Sequence, residues 1–319
     1  MNSVSPNGKH LRSYLPFPLK MEHCACAICS GTDARTLLTF DSFGFPTRTV
    51  ECQGCGLVYV NPRPTRHYME NFYRKWFRFF YEGRRKVDDG YIREKKWREW
   101  DASRVKRYSA HLSGEKGVLD IGCGAGYFAA QVQTENPDCT VVGIEPDSMM
   151  ARHAREKLNL DVHEGFFETF PSAGRFDVIS AFHVIEHLFD LKNFFQFLRD
   201  HLQPYGVVLI ETPNVAGSWD GIGLFHIAHL YTFSPRTITE LFSINGFEVI
   251  DVGPLENEMD DSNLYLIARM MPARKLVSPT RDPDESVRIA EKCGSVGKIR
   301  AVRVLRNWAK MGYFALRIQ

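Results

Sequence analysis

The middle of the chain alternates between short apolar runs and segments with helical spacing. The segments predicted as strands are residues 118–121, 140–144, 161–164, 176–181, 206–211, 247–252 and 263–268. Helices are predicted after the first run, over 148–157 behind an Asp147 cap, and from Pro235 to Ile244 behind a Ser234 cap. Strands that alternate with helices form a parallel sheet with helices on both faces. The pattern therefore predicts an α/β fold.

The loop after the first predicted strand carries three glycines at alternate positions, Gly122, Gly124 and Gly126. Glycine tolerates positive φ and lets a ligand lie against the backbone. The predicted helix that follows presents free N–H groups. Tyr127 occupies the place where a dinucleotide fingerprint needs its last glycine, so an NAD site is not indicated. A glycine-rich turn without a ligand is the alternative interpretation.

An acidic residue ends the second predicted strand. Glu145 lies 19 residues after Gly126 and is followed by Pro146. An acidic side chain about 20 positions after a glycine loop can accept hydrogen bonds from ribose hydroxyls. Glu145 is therefore predicted to bind a ribose, with an ordinary surface glutamate as the competing interpretation.

The segment from Asp120 to Gly126 resembles motif I of class I S-adenosylmethionine-dependent methyltransferases, and the resemblance to that fold covers about residues 117–270. It implies a seven-stranded Rossmann-like sheet and S-adenosylmethionine as the cofactor. The residues implied to bind it are Asp120, Gly122, Cys123, Gly124, Gly126, Glu145, Pro146, Phe166 and Phe182. Relatives often carry an acidic residue near position 166 for the adenine amino group, so Phe166 is expected to stack or to offer its backbone.

Two C-x2-C pairs, Cys26 with Cys29 and Cys52 with Cys55, are separated by 22 residues. This spacing predicts a zinc ribbon over 24–62. Four thiolates close a tetrahedral Zn²⁺ site and leave no position for water, so the zinc is expected to be structural. Cys24 is a candidate substitute ligand.

The segment His183–His187 resembles a loop of quinone- and sugar-type methyltransferases, and residues 211–214 and 229–235 resemble a family with an N-terminal zinc ribbon whose members modify sugars and other small metabolites. The resemblance implies that the candidate catalytic residues, His183, His187 and His229, lie near the substrate. A sugar hydroxyl needs a base, which His183 or His229 could supply. A bracing role for His187 and plain packing for His229 are the competing interpretations.

The outer segments are less specific. Residues 63–115 predict a helical cap, with fifteen Lys/Arg against seven Asp/Glu between 63 and 107. Its basic residues could hold an anionic substrate group, grip single-stranded nucleic acid or simply be solvated. Residues 272–319 predict a basic helical extension that packs on its own domain or in a homodimer, with a membrane surface as the alternative. Residues 1–23 are expected to be flexible.

Composition adds little that is specific. A chain of 319 residues with a net charge of +2 is an ordinary globular protein. No run approaches the roughly 20 apolar residues of a transmembrane segment, and no signal peptide is visible, so a cytoplasmic protein is expected. The predicted function is methylation of a small molecule, mainly O-methylation of a sugar or glycan precursor such as a nucleotide sugar. Nucleic acid is not the expected partner, but RNA methylation and a non-catalytic binding module remain alternatives.

Overall fold

The computed structural model describes residues 20–42, 46–75, 97–114, 116–171, 174–219, 224–255, 261–271 and 279–294. In chain order the described strands are β1 (Met21–Glu22), β2 (Ala34–Leu38), β3 (Thr49–Cys52), β4 (Val58–Val60), β5 (Arg63–Pro64), β6 (Gly117–Ile121), β7 (Thr140–Glu145), β8 (Asp161–Glu164), β9 (Phe176–Phe182), β10 (Leu202–Pro213), β11 (Tyr231–Thr232), β12 (Phe247–Pro254) and β13 (Asn263–Met270). The described helices are α1 (Arg66–Lys75), α2 (Trp97–Arg107), α3 (Ser109–Leu112), α4 (Tyr127–Glu135), α5 (Ser148–Leu158), α6 (Leu191–His201), α7 (Pro235–Ile244) and α8 (283–294). Single 3₁₀ turns lie at Phe167–Thr169 and Ile185–His187.

A seven-stranded sheet runs in the order β12-β13-β10-β9-β6-β7-β8. The five strands β10, β9, β6, β7 and β8 are parallel to one another. The strand β13 is antiparallel to both of its neighbours, β10 and β12. This confirms the predicted α/β fold with a seven-stranded Rossmann-like sheet.

Both faces of the sheet are buried, because successive side chains of a strand point to opposite sides. Val118 of β6 packs in one apolar cluster with Phe128 and Val132 of α4. Its neighbour Leu119 packs in the opposite cluster with Phe194 of α6. A strand buried on both faces has no regular polar alternation, which is why Val118 and Leu119 are both apolar although they face opposite sides.

The two predicted helix caps are confirmed. The Asp147 side chain accepts hydrogen bonds from the backbone N–H groups of Met149 and Met150 at the start of α5. Ser234 caps α7 in a reciprocal capping box with Thr237, and Pro235 fills the first turn. Each cap satisfies N–H groups that the helix leaves without partners, and so fixes where the helix begins.

The cysteine-bearing segment packs against the main domain as part of a shared core. It forms a four-stranded antiparallel sheet in the order β11-β4-β3-β2. The strand β11 comes from the part of the chain that follows β10, and Tyr231 of β11 pairs with Tyr59 of β4. Leu57 and Tyr59 are buried in the same apolar cluster as Phe233 and Leu241.

The outer segments are described in part. Met21–Glu22 pairs with Arg63–Pro64, and the predicted cap contributes α1, α2 and α3. Residues 1–19 of the N-terminal segment, cap residues 76–96, and residues 272–278 and 295–319 of the C-terminal extension lie outside the described residues. Among the described helices none has the length and apolarity to cross a bilayer.

Arg236, near the start of α7, connects three parts of the structure. Its Nη1 donates to the carbonyl oxygens of Cys55 (3.0 Å) and Thr280 (2.6 Å). Its Nε and Nη2 donate to Glu285 Oε2 of α8 at 2.8 and 2.6 Å. One guanidinium therefore holds the cysteine segment and α8 onto the main domain.

We expect Arg236→Met to lower the free energy of unfolding by about 2 kcal/mol, because it leaves a largely buried carboxylate without its cation. The Glu285 side chain is only 9% exposed. Arg269→Met is the matched control, because its pair with Glu248 is 48% and 44% exposed and should contribute less than about 0.5 kcal/mol. Urea unfolding of the two variants measures the difference, and equal effects would contradict it.

Candidate functional site

A cleft of ≈ 570 Å³ opens at the carboxyl ends of β6 and β7, beside the turn that follows β9. In open α/β sheets ligands bind at this edge, and the volume is that of a small-molecule site. Of the sequence-predicted residues, Gly122, Glu145, Pro146, Phe166, His183 and His187 line it.

The glycine loop has left-handed backbone at all three glycines, with φ of +72° at Gly122, +55° at Gly124 and +85° at Gly126. A Cβ on Gly122 would lie 2.6 Å from a methyl of Val184, and one on Gly126 would lie 2.5 Å from a methyl of Leu160. A Cβ on Gly124 would meet nothing within 4 Å. Gly122 and Gly126 are therefore held in close packing, and Gly122 is the one of the three that lines the cleft.

The Glu145 carboxylate binds backbone on both sides of the cleft edge. Its Oε2 accepts from Gly124 N–H at 2.8 Å, and its Oε1 accepts from Asp147 N–H at 2.7 Å. These bonds hold the glycine loop beside the turn between β7 and α5.

Other predicted cofactor residues lie behind the loop. Asp120 is buried and accepts a 2.7 Å hydrogen bond from Ser180 Oγ, and burial raises the pKa of its carboxyl to about 7. The Phe182 ring stacks on Tyr108, and the Cys123 thiol is buried. Among the described residues, Asp120, Cys123, Gly124, Gly126 and Phe182 are not part of the cleft wall.

An ionic cluster that the sequence reasoning missed docks α2 on the end of β10. Buried Glu211 accepts from Arg104 Nε (2.6 Å), Arg107 Nη1 (3.0 Å) and Tyr108 Oη (3.1 Å). The spacing of Arg104, Arg107 and Tyr108 places them on one helical face, which was the available signal.

The turn after β9 carries a buried carboxylate between histidines. Glu186 is fully buried and accepts from Thr212 Oγ1 through Oε2 at 3.0 Å. His183, with φ +55°, places Nδ1 3.4 Å from Glu186 Oε1. Burial would raise the pKa of Glu186, but the His183 and His187 rings outweigh it and lower that pKa.

The two remaining candidate histidines are fixed by backbone carbonyls. His187 Nδ1 lies 2.7 Å from Ala228 O and 2.8 Å from Tyr73 Oη, and His229 Nδ1 lies 2.8 Å from Leu224 O. Burial lowers the pKa of His187, and lowers that of His229 well below its usual value. In the described structure His229 sits behind His187, with ring centroids 4.9 Å apart, and does not line the cleft.

His226 belongs to the same group and was not singled out from the sequence. Its ring centroid lies 3.5 Å from that of His229 and 6.3 Å from that of His187. The available signal was its position three residues before His229 in a segment already rich in candidate residues.

The four predicted metal-binding cysteines come together. The sulfurs of Cys26 and Cys55 are 3.4 Å apart, as are those of Cys29 and Cys52, and all four lie within 4.8 Å of one another. Four thiolates around Zn²⁺ at about 2.3 Å have neighbouring sulfurs about 3.8 Å apart. The group can therefore hold a tetrahedral metal ion, and Cys24 is not part of it.

A family model described as a methyltransferase domain matches residues 91–252, just over half of the chain. The chain belongs to this methyltransferase family.

Three curated relatives agree with that assignment. The chain is 32% identical over 148 residues to a "probable S-adenosylmethionine-dependent methyltransferase" of Mycolicibacterium smegmatis, covering 44% of this chain and 56% of the relative. It is 27% identical over 134 residues to a ubiquinone biosynthesis O-methyltransferase of Rickettsia akari, covering 40% and 52%. It is 31% identical over 128 residues to a tRNA U34 carboxymethyltransferase of Pseudoalteromonas atlantica, covering 38% and 39%. The chain thus spans about half the length of these three relatives or less, and these findings support an enzyme of the S-adenosylmethionine-dependent methyltransferase kind.

The buried Asp120 carboxyl predicts a pH-dependent stability. Its pKa is about 7 in the fold against the ordinary 3.8, so between these values the folded chain holds a proton that the unfolded chain releases. The Asp120 contribution to the free energy of unfolding therefore falls as pH rises through this window. Asp120→Asn, which does not titrate, should gain stability relative to wild type between about pH 4 and pH 8. Thermal unfolding across this range measures the difference, and a pH-independent difference would contradict the assignment.

Proposed function

We propose that the chain transfers the methyl group of S-adenosylmethionine to a hydroxyl of a small molecule, specifically a sugar or glycan precursor such as a nucleotide sugar. The observation that carries the proposal is the cleft at the carboxyl edge of the sheet, which has Glu145 at one side and His183 with His187 at the other. The methyltransferase family match supplies the reaction class.

The donor would be held where the glycine loop, Glu145 and Phe166 meet. Gly122 is the loop glycine that lines the cleft, and its missing Cβ lets a ligand lie against the backbone there. Glu145 would bind the ribose hydroxyls, and Phe166, with Pro146, would pack on the adenine. When bound, the donor supplies a methyl group on a positively charged sulfonium. Asp120, Cys123, Gly124, Gly126 and Phe182 would support this arrangement from the loop and from behind it.

The protein's own contribution is alignment, exclusion of water and removal of one proton. We assign the base to His183, because its ring lines the cleft and is 36% exposed. Its Nδ1 faces Glu186 Oε1 at 3.4 Å without a hydrogen bond, and we assign Nε2 as the nitrogen that takes the proton of the acceptor hydroxyl. His187, held by Ala228 and Tyr73, would orient the turn, and His229 would support His187 from behind rather than act as the base.

The acceptor class rests on two kinds of support. The loop and ribbon motifs resemble those of sugar- and small-metabolite-modifying enzymes, and one relative is named as an O-methyltransferase. RNA is the second candidate acceptor, because another relative is named for tRNA U34.

The cysteine group would hold structural zinc. Cys26, Cys29, Cys52 and Cys55 converge on one point, and the segment shares its core with the main domain. Closure of such a site contributes on the order of 10 kcal/mol to folding.

Donor binding is expected to depend on Glu145. Glu145→Gln should weaken binding of S-adenosylhomocysteine by at least about tenfold, because charge-assisted hydrogen bonds contribute about 1.5–3 kcal/mol each. The matched control is Glu164→Gln, since Glu164 faces Glu145 across β7 and β8 but forms an exposed ion pair with Arg155. Calorimetric titration compares the two variants, and unchanged affinity in Glu145→Gln would refute the ribose assignment.

Zinc content is expected to depend on the buried thiolates. Cys55→Ser should lose the metal and unfold at a lower temperature, because three thiolates bind zinc more weakly than four. Cys24→Ser is the control and should keep one zinc per chain. Elemental analysis gives the metal content, and loss of zinc from Cys24→Ser with retention in Cys55→Ser would show that the ligand set is wrong.

The function is tested by incubating the purified chain with isotope-labelled methyl donor and a panel of nucleotide sugars, free sugars, quinol precursors and tRNA. We expect a mass increase of one methyl group on a sugar hydroxyl, and a loss of at least about a hundredfold in turnover for His183→Asn. Labelling of tRNA alone would favour the second candidate. Donor binding with no labelled product of any class would favour a non-catalytic module.

A further inference from the structure

A group of nitrogen and oxygen ligands lies beside the acceptor end of the cleft, away from the cysteine group. It consists of Glu186, His187 and His229, whose nearest ligand atoms all lie within 4.8 Å of one another. His187 also lines the cleft, so the group is reachable from the site at which the methyl acceptor is expected to bind.

The buried carboxylate of Glu186 lacks a hydrogen-bond donor on one oxygen. Its side chain is fully buried, and Thr212 Oγ1 donates only to Oε2. Within the described residues Oε1 accepts no hydrogen bond, since His183 Nδ1 at 3.4 Å is not aligned to donate. A buried carboxylate oxygen without a donor is costly, so its presence calls for a positive ligand.

In both histidines a backbone carbonyl binds one ring nitrogen and so sets the tautomer. A carbonyl oxygen can only accept, so His187 Nδ1, at 2.7 Å from Ala228 O, carries the proton. The same holds for His229 Nδ1, at 2.8 Å from Leu224 O. Each ring therefore keeps a lone pair on Nε2. Metal-binding histidines are commonly fixed in this way, with the second nitrogen donating to a backbone carbonyl.

The spacing fits a single ion after a small adjustment. His187 Nε2 lies 4.0 Å from Glu186 Oε1. The three ligand atoms lie within 4.8 Å of one another. Three atoms at that separation would be about 2.8 Å from their common centre, so each has to move by at most about 0.7 Å to reach a bond length of about 2.1 Å. Packing of the histidine rings alone would explain their contacts but not the vacant oxygen between them.

We propose that Glu186, His187 and His229 form a second metal site, which binds one divalent first-row transition cation such as Zn²⁺ or Mn²⁺. Two imidazoles and one carboxylate are a ligand set that these cations accept, and they leave positions open for other ligands. The cation's role rests on the proposed function: it would bind the acceptor hydroxyl and make its proton easier for His183 to remove.

The site is tested by metal binding, independently of turnover. The full chain is first loaded with zinc at its cysteine group. One sample is then titrated with Mn²⁺, and binding is monitored by electron paramagnetic resonance. A second sample is dialysed against Zn²⁺, and its zinc content is measured by elemental analysis. We expect one Mn²⁺ per chain, or one zinc beyond that of the cysteine group. Because Mn²⁺ prefers oxygen and nitrogen to thiolate ligands, its signal reports on the proposed site. Failure of both cations to bind would overturn the proposal.

Variants locate the ion. Glu186→Gln keeps the shape of the side chain and should weaken Mn²⁺ or second-zinc binding at least tenfold, as should His229→Ala. His201→Ala is the matched control, since His201 Nδ1 also binds a backbone carbonyl, at 2.9 Å from Phe197 O, but far from the cleft in α6. Wild-type affinity in Glu186→Gln would overturn the assignment even if His229→Ala failed to fold.

The outcome is distinguishable from failure of the proposed function. Methyl transfer without a second cation would overturn this inference alone. A chain that binds the cation but methylates nothing would keep the metal site and remove the proposed function.

Discussion

The carboxylate of Glu145 is the contact on which the arrangement of the cleft depends. It accepts from the N–H of Gly124 in the glycine loop and from the N–H of Asp147 at the cap of α5. An ionised carboxylate has about four lone-pair sites, and these two backbone bonds use two of them. In the proposed function the same group holds the two loops together and accepts from a ribose. The glycines allow the left-handed backbone of this loop, and the hydrogen bond from Gly124 to Glu145 helps to hold it.

Behind the loop the protein supports this edge with groups that a ligand would not need to touch. Asp120 with Ser180 lies between β6 and β9, and Phe182 packs on Tyr108 of the segment that docks on Glu211. The strand β11 pairs with β4 of the cysteine-bearing segment, with Tyr231 opposite Tyr59. The His229 segment leads directly into β11. The cysteine-bearing segment and the histidine group are therefore connected through β11.

Features encoded by short stretches were predictable from the sequence. The run at 118–121, the Asp147 cap and the two C-x2-C pairs are set by local periodicity or by neighbouring residues, and the structure contains each as predicted. Only some of the residues predicted to form the cleft do so: Glu145 and His183 line the cleft wall, whereas Phe182 is buried in the core. What could not be predicted depends on contacts between residues distant in sequence. These are the ion pair of Arg104 with Glu211, the pairing of β11 with the four-stranded sheet, and the proximity of Glu186 to His229. Side-chain direction at a strand end is decided by such packing, which one sequence does not specify.

The most direct measurement of the central claim is a crystal structure of the full chain with S-adenosylhomocysteine. The account predicts the nucleoside at the carboxyl edge of the sheet, with its ribose hydroxyls donating to Glu145, its adenine beside Phe166 and its sulfur directed towards His183. A ligand bound elsewhere, or one bound in the cleft with its ribose away from Glu145, would contradict the account.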